Sequence, residues 1–248
     1  MTARVALVTG GMGGIGTAIC RRLASANGNA VVANCLPGYA HKDAWLEQMR
    51  AEGFDNVHAA EGDVADFESS GEMVGRIDSE IGRVDILINN AGIVRDNTLH
   101  KMSPMDWTAV INTNLNSAFN VTKHVLDSMC ERGWGRIVNL SSVNGQRGQF
   151  GQTNYSAAKA GIHGFAKALA QEVVKKGVTV NSVSPGYVAT DLVRSIRKDV
   201  LERIVAGIPM GRLADPAEIA GLIAYLTSEE AGYITGANIA INGGMYMS

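Results

Sequence analysis

Strand-like and helix-like segments alternate from one end of this 248-residue sequence to the other. The strand-like segments are rich in β-branched residues, and 84–90 is an almost unbroken apolar run, which is typical of a parallel strand covered on both faces. The alternation predicts one α/β domain over 1–248, a doubly wound parallel sheet of about seven strands flanked by helices. The predicted strands are 3–9, 29–35, 57–62, 84–90, 136–142, 178–184 and 238–242, and the predicted helices are 14–27, 42–52, 66–82, 104–131, 153–176 and one that begins at 215–216.

Composition excludes several classes of protein. The chain carries 22 basic and 24 acidic side chains, a formal net charge of −2, which argues against binding nucleic acid or a membrane surface through bulk charge. The charge-free stretches 23–40 and 231–248 are interrupted by Asn and Gly, so they do not read as membrane-spanning helices. Three scattered cysteines suggest neither a disulfide framework nor a metal site, and the first residues lack a secretory pattern. We therefore expect a cytoplasmic protein with no metal, no nucleic-acid partner and no membrane association.

A glycine-rich loop joins the first predicted strand to the first predicted helix. Five glycines fall within residues 10–16. Glycine suits such a turn because some positions require a positive φ, and others must let the backbone approach a ligand without a Cβ in the way. Free N–H groups and the positive end of the helix attract phosphate, so the loop predicts a dinucleotide site. The residues assigned to it are Thr9, Gly10, Gly11, Met12, Gly13, Gly14, Ile15 and Gly16.

A tyrosine and a lysine share one face of a later predicted helix. Tyr155 and Lys159 are four residues apart, and an ammonium group beside a phenol favours its ionised form and moves its pKa from near 10 towards the working range. Ser142 ends the fifth predicted strand, where its hydroxyl can donate to an oxyanion that forms on a substrate carbonyl. Ser141 is the adjacent alternative. These residue types predict proton transfer to a carbonyl oxygen.

Three motifs together resemble the short-chain dehydrogenase/reductase family. They are Thr-Gly-x-x-x-Gly-x-Gly at 9–16, Asn-Asn-Ala-Gly at 89–92 and Tyr-x-x-x-Lys at 155–159. The resemblance runs from the first motif to 242–244 and covers essentially the whole chain. It implies a Rossmann-type fold, a nicotinamide cofactor and hydride transfer at a carbonyl carbon.

The resemblance also implies roles for single residues. Ser142 stands at the family's offset from Tyr155. Asn114 matches the fourth catalytic residue of the family, which orders a water that returns the proton through Lys159. Asp63 matches the position that contacts the adenine ring, and 185–190 resembles the segment that binds the nicotinamide carboxamide. The further cofactor contacts implied are Gly62, Asp63, Val64, Asn90, Ala91, Gly92, Ile93, Pro185, Gly186, Val188 and Thr190.

The end of the second predicted strand indicates which nicotinamide cofactor is used. An NAD-specific site usually has a carboxylate there, which accepts a hydrogen bond from the ribose 2′-OH. Here Asn34 stands near the strand end, and no acid follows until Asp43. A 2′-phosphate would meet no repulsion, and His41 and Lys42 would offer positive charge. These residues predict NADP(H).

The segment before Tyr155 resembles that of family members that reduce small 3-ketoacyl-CoA thioesters to (R)-3-hydroxy products. A small ketoester site needs a few amide donors on an apolar wall. Thioesters of an acidic carrier protein are the alternative substrate, for which Arg132 and Lys175–Lys176 could form a basic landing site. The substrate contacts implied are Asp96, Gln149, Phe150, Gln152 and Tyr187, with Phe150 as an ordinary core residue being the alternative.

Residues 187–214 interrupt the strand–helix alternation, and long irregular segments in compact domains are usually functional. Apolar residues occur at helical spacing within this segment, at Leu192, Ile196, Val200 and Ile204. We predict a lid that is mobile over 190–211 without ligand and closes over the acyl-CoA, excluding water from the reaction. A helical insertion packed permanently on the body is the alternative.

Small residues along helix 153–176 permit close packing against another helix. They are Ala157, Ala158, Ala160, Gly161 and Gly164. Members of the family commonly pair through the two helices that correspond to 104–131 and 153–176, so the resemblance implies a homotetramer. The sequence itself permits either a core or an interface explanation for these small residues.

Overall fold

The structure is a computed structural model and describes residues 3–25 and 28–247. Seven strands form one sheet with the order β3-β2-β1-β4-β5-β6-β7, and every neighbouring pair is parallel. The strand order reverses between β1 and β4, which is where ligands bind in open α/β sheets. The strands are β1 Val5–Val8, β2 Ala30–Cys35, β3 Val57–Glu61, β4 Ile86–Asn89, β5 Gly135–Leu140, β6 Val178–Pro185 and β7 Asn238–Ile241.

Helices cover both faces of this sheet, which confirms the predicted α/β architecture. The predicted strands and helices are present with ends that differ by a few residues, and positions 26 and 27 of the first predicted helix lie outside the described residues. Single 3₁₀ turns occupy Leu99–Lys101 and Val174–Lys176. The helices are α1 Gly14–Ala24, α2 Lys42–Ala51, α3 Phe67–Glu80, α4 Pro104–Ile111, α5 Ser117–Glu131, α6 Val143–Arg147, α7 Thr153–Val173, α8 Asp191–Arg194, α9 Lys198–Ala206 and α10 Pro216–Leu226.

The predicted helix over about 104–131 is present, but it is not α-helical throughout. A π-helical turn at Asn112–Asn116 separates α4 from α5. The turn consists of three asparagines, a threonine and a leucine, and asparagine and threonine are weak helix formers whose short side chains compete for backbone partners. Single π turns inside helices are often found at functional sites, and this one carries Asn114.

Two buried apolar clusters hold the helices against the sheet. One includes Ile19 of α1 and Ile223 of α10, and the other includes Met73 of α3 and Val125 of α5. Each such side chain contributes about 1.5–3 kcal/mol of hydrophobic stabilisation when it is fully buried. The packing fixes the carboxyl ends of β1, β4, β5 and β6 as a rigid platform. None of the helices among the described residues is long and apolar enough to cross a membrane.

Candidate active site

The carboxyl end of β5 and the first turns of α7 bring the predicted catalytic residues together. Lys159 is almost fully buried, and its Nζ donates to the carbonyl oxygen of Leu140 over 2.7 Å. The same Nζ lies 5.8 Å from the centre of the Tyr155 ring. Ser142 lies two residues after the end of β5 and is the N-cap of α6. The short helix α6, which the sequence did not predict, packs against α7 and holds Ser142 in place.

The two adjacent serines have different partners. Ser141 Oγ donates to the carbonyl oxygen of Lys159 over 2.7 Å and lies inside the protein. Ser142 Oγ accepts from the backbone N–H of Asn144 over 3.1 Å, and its own proton is directed towards the oxygen of Tyr155. Ser142 is therefore the serine on the side of the phenol, whereas the Ser141 hydroxyl is engaged with the backbone of α7.

Burial controls the acidity of both titratable groups in this cluster. Burial raises the pKa of the Tyr155 phenol, the hydrogen bond with Ser142 opposes this, and the Asp96 carboxylate raises it further. Burial also lowers the pKa of Lys159 from 10.5 to about 8. The expectation that the ammonium would lower the pKa of Tyr155 is not met here, because desolvation outweighs the distant charge. A phenol that stays protonated at neutral pH is suited to donate a proton.

Asn114 holds the turn that follows β4. Its Oδ1 accepts from the N–H of Ile93 over 2.7 Å, and its Nδ2 donates to the Ile93 carbonyl over 2.8 Å. A Cβ on Gly92 would lie 3.1 Å from Asn114 Oδ1 and 3.6 Å from Lys159 Nζ. Gly92 therefore leaves open a space that both side chains border, and this space suits the predicted water.

The glycine loop has the close contacts that a phosphate-binding turn requires. A Cβ on Gly11 would lie 2.7 Å from Ala33, and one on Gly16 would lie 2.3 Å from the Gly10 carbonyl oxygen. Gly10 has a φ of +58°, which other residues rarely adopt. Gly13 caps α1 without any side-chain hydrogen bond, so the first N–H groups of α1 are open to an anion. The loop fits the pyrophosphate of a dinucleotide.

Thr9 connects the glycine loop to the turn after β4. Its Oγ1 accepts from the backbone N–H groups of Asn90 and Ala91 over 2.9 and 3.0 Å. The side chain of Asn90 in turn donates to the carbonyl oxygens of Thr9 and Gly10. The two motifs form one hydrogen-bonded unit at the point where the strand order reverses. Met12 and Ile15 pack against the buried cluster under α1.

Comparison with known proteins agrees with this geometry. A sequence profile described as short chain dehydrogenase matches residues 4–201. The chain belongs to the short-chain dehydrogenase family. It is 62 % identical over 247 residues to an acetoacetyl-CoA reductase of Cupriavidus necator, with 100 % of each chain covered. It is 58 % identical to an acetoacetyl-CoA reductase of Allochromatium vinosum and 57 % identical to nodulation protein G of Azospirillum brasilense, with 99 % of each chain covered in both cases.

In this short-chain dehydrogenase the end of β2 differs from the sequence-based picture. Asn34 is buried, its Oδ1 accepts from Gly10 N over 3.2 Å, and its Nδ2 donates to the Gly62 carbonyl over 2.9 Å. Its side chain therefore braces the glycine loop and is not presented to a cofactor. Residues 36–41, which follow β2, are all exposed, and Leu36 is the first of them.

The positive charge next to this edge already has an acidic partner. Lys42 Nζ lies 2.6 Å from Oε1 of Glu61, the last residue of β3, and Gly38 N donates to the other oxygen of that carboxylate over 3.1 Å. His41 is exposed and packs edge-on against Tyr39. The expectation of no repulsion at this edge rested on the sequence up to Asp43, and it did not include Glu61, which β3 places beside the end of β2.

The turn after β3 carries the predicted adenine contacts. Asp63 Oδ1 accepts from Ala65 N over 2.9 Å, and the other carboxylate oxygen has no partner in the described part of the chain. Val64 is buried, and its carbonyl accepts from Asn120 over 3.0 Å. Gly62 packs against Met73, where a Cβ would lie 2.9 Å from the side chain. The turn is rigid and leaves one carboxylate oxygen available.

The segment after β6 leads from the sheet into the predicted lid. Gly186 approaches Asn242 so closely that a Cβ would lie 2.9 Å from its carbonyl oxygen. Val188 is buried and pairs with Ala214 in an isolated bridge. A Cβ on Gly14 would lie 2.8 Å from Cγ2 of Thr190, so the start of the lid contacts the glycine loop directly. Pro185 is the last residue of β6.

The lid segment contains two helices, α8 and α9, and both of its ends are anchored. Ala214 N donates to the Tyr187 carbonyl over 2.9 Å, and Met210 N donates to the Gly243 carbonyl over 3.1 Å. Ile208 is buried, whereas no residue of α9 is fully buried and its Ile204 is only partly covered. The side chain of Leu192 lies outside the described part of the chain. The two helices are therefore loosely packed between fixed ends.

The predicted substrate residues include one hydrogen-bonded pair and three side chains that are exposed or partly exposed. Gln152 Nε2 donates to Asp96 Oδ2 over 2.8 Å, and its Oε1 accepts from Asn144 over 2.9 Å. Gln152 is therefore held between two side chains. Gln149 is exposed, and Phe150 is 87 % exposed, which excludes its role as a core residue. Tyr187 is partly exposed at the base of the lid.

Sequence reasoning missed three residues that shape the site. Asn144 holds Gln152, and Glu61 pairs with Lys42. His163 lies on α7 one turn after Lys159 and contacts Ser141. Its four-residue spacing from Lys159 could have indicated from the sequence that it lies near the site. Asn144 and Glu61 gave no such signal, because their partners come from other segments of the fold. Within the described residues no three His, Cys, Asp or Glu side chains cluster as metal ligands would.

Proposed function

We propose that this chain is an NADPH-dependent acetoacetyl-CoA reductase that forms (R)-3-hydroxybutyryl-CoA, the precursor of polyhydroxybutyrate. The observation that carries the proposal is the grouping of Ser142, Tyr155 and Lys159 at one strand end, in a chain whose full length is 62 % identical to an enzyme of that name. The segment at 148–155 also resembles enzymes of this kind. Product stereochemistry follows from that resemblance.

The side chains supply proton transfer and positioning. A reduced nicotinamide, when bound, supplies the hydride. The Ser142 hydroxyl donates a hydrogen bond to the 3-keto oxygen without losing its proton, and Tyr155 transfers the phenol proton to the alkoxide. Lys159 is held between Leu140 and the space at Gly92, where it can return a proton to Tyr155. Asn114 borders the same space and orders the water that supplies Lys159.

NADP(H) is the proposed cofactor. Lys42 is the first residue of α2 and His41 is its N-cap, and α1 begins with open N–H groups for the pyrophosphate. Glu61 would repel a 2′-phosphate, but it also holds Lys42 in position through the 2.6 Å contact. We infer that a 2′-phosphate competes with Glu61 for the Lys42 ammonium. Asp63 would contact the adenine ring through its free oxygen.

A CoA thioester is favoured over a carrier-protein thioester. Arg132, one of the basic residues suggested for a carrier-protein landing site, donates to Asp85 over 3.1 Å and to the Val84 carbonyl over 2.7 Å. Arg132 is therefore engaged within the chain, where it shares the Asp85 carboxylate with Arg4. The exposed side chains of Gln149 and Phe150 lie near the site and fit a small thioester, with Asp96, Gln152 and Tyr187 completing the mouth.

We further propose a homotetramer that uses α4, α5 and α7. Exposed apolar side chains lie on the first two helices, where Met105 is 80 % and Phe119 is 51 % exposed. On α7, Gly161 packs against Leu115 within the chain, and Ala158 is buried. Ala157, Ala160 and Gly164 are exposed and form a flat stripe that a second copy can approach. Light scattering on the purified protein tests this state.

The proposal is tested by NADPH oxidation with acetoacetyl-CoA as substrate. We expect turnover, with (R)-3-hydroxybutyryl-CoA as the product on a chiral column. Replacing Tyr155 with Phe removes only the proton donor, so kcat should fall at least about a hundredfold while NADPH affinity is retained. Absence of wild-type turnover, or a loss of less than about tenfold in Tyr155→Phe, would contradict the assignment.

A further inference from the structure

A chain of polar side chains joins the catalytic helix to the last two strands of the sheet. Ser141 Oγ lies 2.7 Å from the Lys159 carbonyl oxygen and 2.7 Å from His163 Nε2. His163 Nε2 also lies 3.2 Å from Oγ of Ser184, which is fully buried on β6. Ser184 Oγ donates to Asn238 Oδ1 on β7 over 2.8 Å. None of these four side chains takes part in the proposed proton transfer.

Counting protons fixes the direction of the central hydrogen bond. The Lys159 carbonyl can only accept, so the single hydroxyl proton of Ser141 is directed to it. The oxygen of Ser141 must then accept from the imidazole, which places a proton on Nε2 of His163. Ser184 likewise directs its proton to Asn238, so its oxygen accepts from the same N–H. His163 is therefore the donor that orients both serines.

We propose that His163 is a positioning residue for the proposed reductase reaction, acting through Ser141 to fix Lys159 in α7. Lys159 is held at two points by consecutive residues of the β5 end, with its Nζ on Leu140 and its carbonyl on Ser141. The imidazole determines where the Ser141 hydroxyl points, and that hydroxyl determines the second contact. This inference rests on the proposed function of Lys159.

The backbone around Lys159 is closely packed, so a small displacement there has consequences. A Cβ on Gly145 of α6 would lie 2.7 Å from the Lys159 carbonyl carbon and 2.9 Å from its oxygen. The α6 helix begins at Ser142, and α7 carries Tyr155. A shift of the Lys159 carbonyl would therefore move α6 against α7 and disturb the geometry between Ser142 and Tyr155.

His163 positions the site and does not carry protons to it. Its link to Lys159 passes through a carbonyl oxygen, which has no proton to transfer. Burial and the nearby Lys167 lower the pKa of the imidazole, so it is neutral at neutral pH. A neutral donor that is fixed by two serines has the properties of an orienting group.

Four single variants separate this role from a general packing role. His163→Leu removes the N–H, and His163→Gln keeps an amide N–H at about the reach of Nε2. Ser141→Ala removes the same contact from the β5 side without altering α7. Ser182→Ala is the matched control, because its buried hydroxyl also donates to Asn238, over 3.0 Å, but does not contact His163. Each variant is assayed with NADPH and acetoacetyl-CoA, and its NADPH affinity is measured separately.

We expect His163→Leu and Ser141→Ala each to lower kcat by about tenfold with NADPH affinity within about twofold of wild type, because the reacting groups are displaced but the cofactor loop is not. His163→Gln should recover most of kcat, and Ser182→Ala should match wild type. The double variant Ser141→Ala/His163→Leu should lose no more than the worse single variant, since both act through one contact.

Wild-type kcat in His163→Leu, failure of the Gln variant to recover activity, or losses that multiply in the double variant would each overturn the positioning role. If His163→Leu does not fold, kcat and NADPH affinity in Ser141→Ala and His163→Gln test the positioning role in its place. No wild-type turnover with acetoacetyl-CoA would overturn the proposed function instead. Hydrogen exchange at residues 155–163 then decides the positioning role, which requires faster exchange in Ser141→Ala and wild-type exchange in Ser182→Ala.

Discussion

Lys159 donates from its buried ammonium group to the carbonyl oxygen of Leu140, 2.7 Å away, at the end of the strand that leads to Ser142. This is the only hydrogen bond that Nζ makes within the described residues, and a buried ammonium with one acceptor is poorly solvated. The consequence is a pKa of about 8, well below the ordinary value of 10.5.

The pH dependence of the reaction should reflect this lysine. Reduction needs Lys159 in its protonated form, so kcat should decline as the pH rises through about 8. The pKa of Tyr155 is raised, so loss of its proton contributes only at higher pH. A pH–rate profile with saturating NADPH and acetoacetyl-CoA measures the decline. A kcat that stays constant to about pH 10 would show that Lys159 does not titrate in this step.

Cofactor preference should depend on the pair formed by Lys42 and Glu61. Lys42→Met should lower kcat/KM for NADPH by about tenfold and leave NADH little affected, because one charged hydrogen bond to the 2′-phosphate is lost. Glu61→Gln should raise the preference for NADPH, because it frees the ammonium and removes a negative charge. Glu52→Gln, which breaks the comparable pair with Arg21, is the matched control and should change neither value. Equal losses with both cofactors in Lys42→Met would place the 2′-phosphate elsewhere.

Replacing Asn34 with Asp should destabilise the fold. The Asn34 Nδ2 donates to the Gly62 and Cys35 carbonyl oxygens, and a carboxylate would direct negative charge at the same oxygens in a buried position. We expect a loss of about 1–3 kcal/mol in the free energy of unfolding, measured by urea denaturation. Asn116→Asp, at an exposed position, is the control. An unchanged unfolding midpoint in Asn34→Asp would mean that the side chain is free to face a ligand.

The sequence was sufficient to predict the sheet, the glycine loop between β1 and α1, and the grouping of Ser142, Tyr155 and Lys159, because each is encoded locally. Periodicity marked the strands, and the offsets between Ser142, Tyr155 and Lys159 marked the site. The pair between Lys42 and Glu61 could not be predicted, since it depends on the register of β2 against β3. The sequence around Asn34 also did not predict where its side chain points, because that direction is set by a hydrogen bond to Gly62 in the turn after β3.

The lid helices should respond to ligands more than their anchored ends. Hydrogen exchange over α8 and α9 should slow when NADP⁺ and a CoA thioester are both bound, because closure covers half-exposed residues such as Val200. Residues 207–211 should be protected throughout, since Ile208 is buried and Met210 is bonded to Gly243. Strong protection of α9 without ligand, unchanged on binding, would show a permanently packed insertion and contradict the lid.

The substrate and cofactor assignments are tested most directly by side-by-side kinetics. Acetoacetyl-CoA and acetoacetyl-carrier protein are compared at equal concentrations, first with NADPH and then with NADH, and kcat/KM is measured for each of the four combinations. We predict the highest value for acetoacetyl-CoA with NADPH, by at least about tenfold over each alternative. A higher kcat/KM for the carrier-protein thioester, or for NADH, would contradict the proposed function.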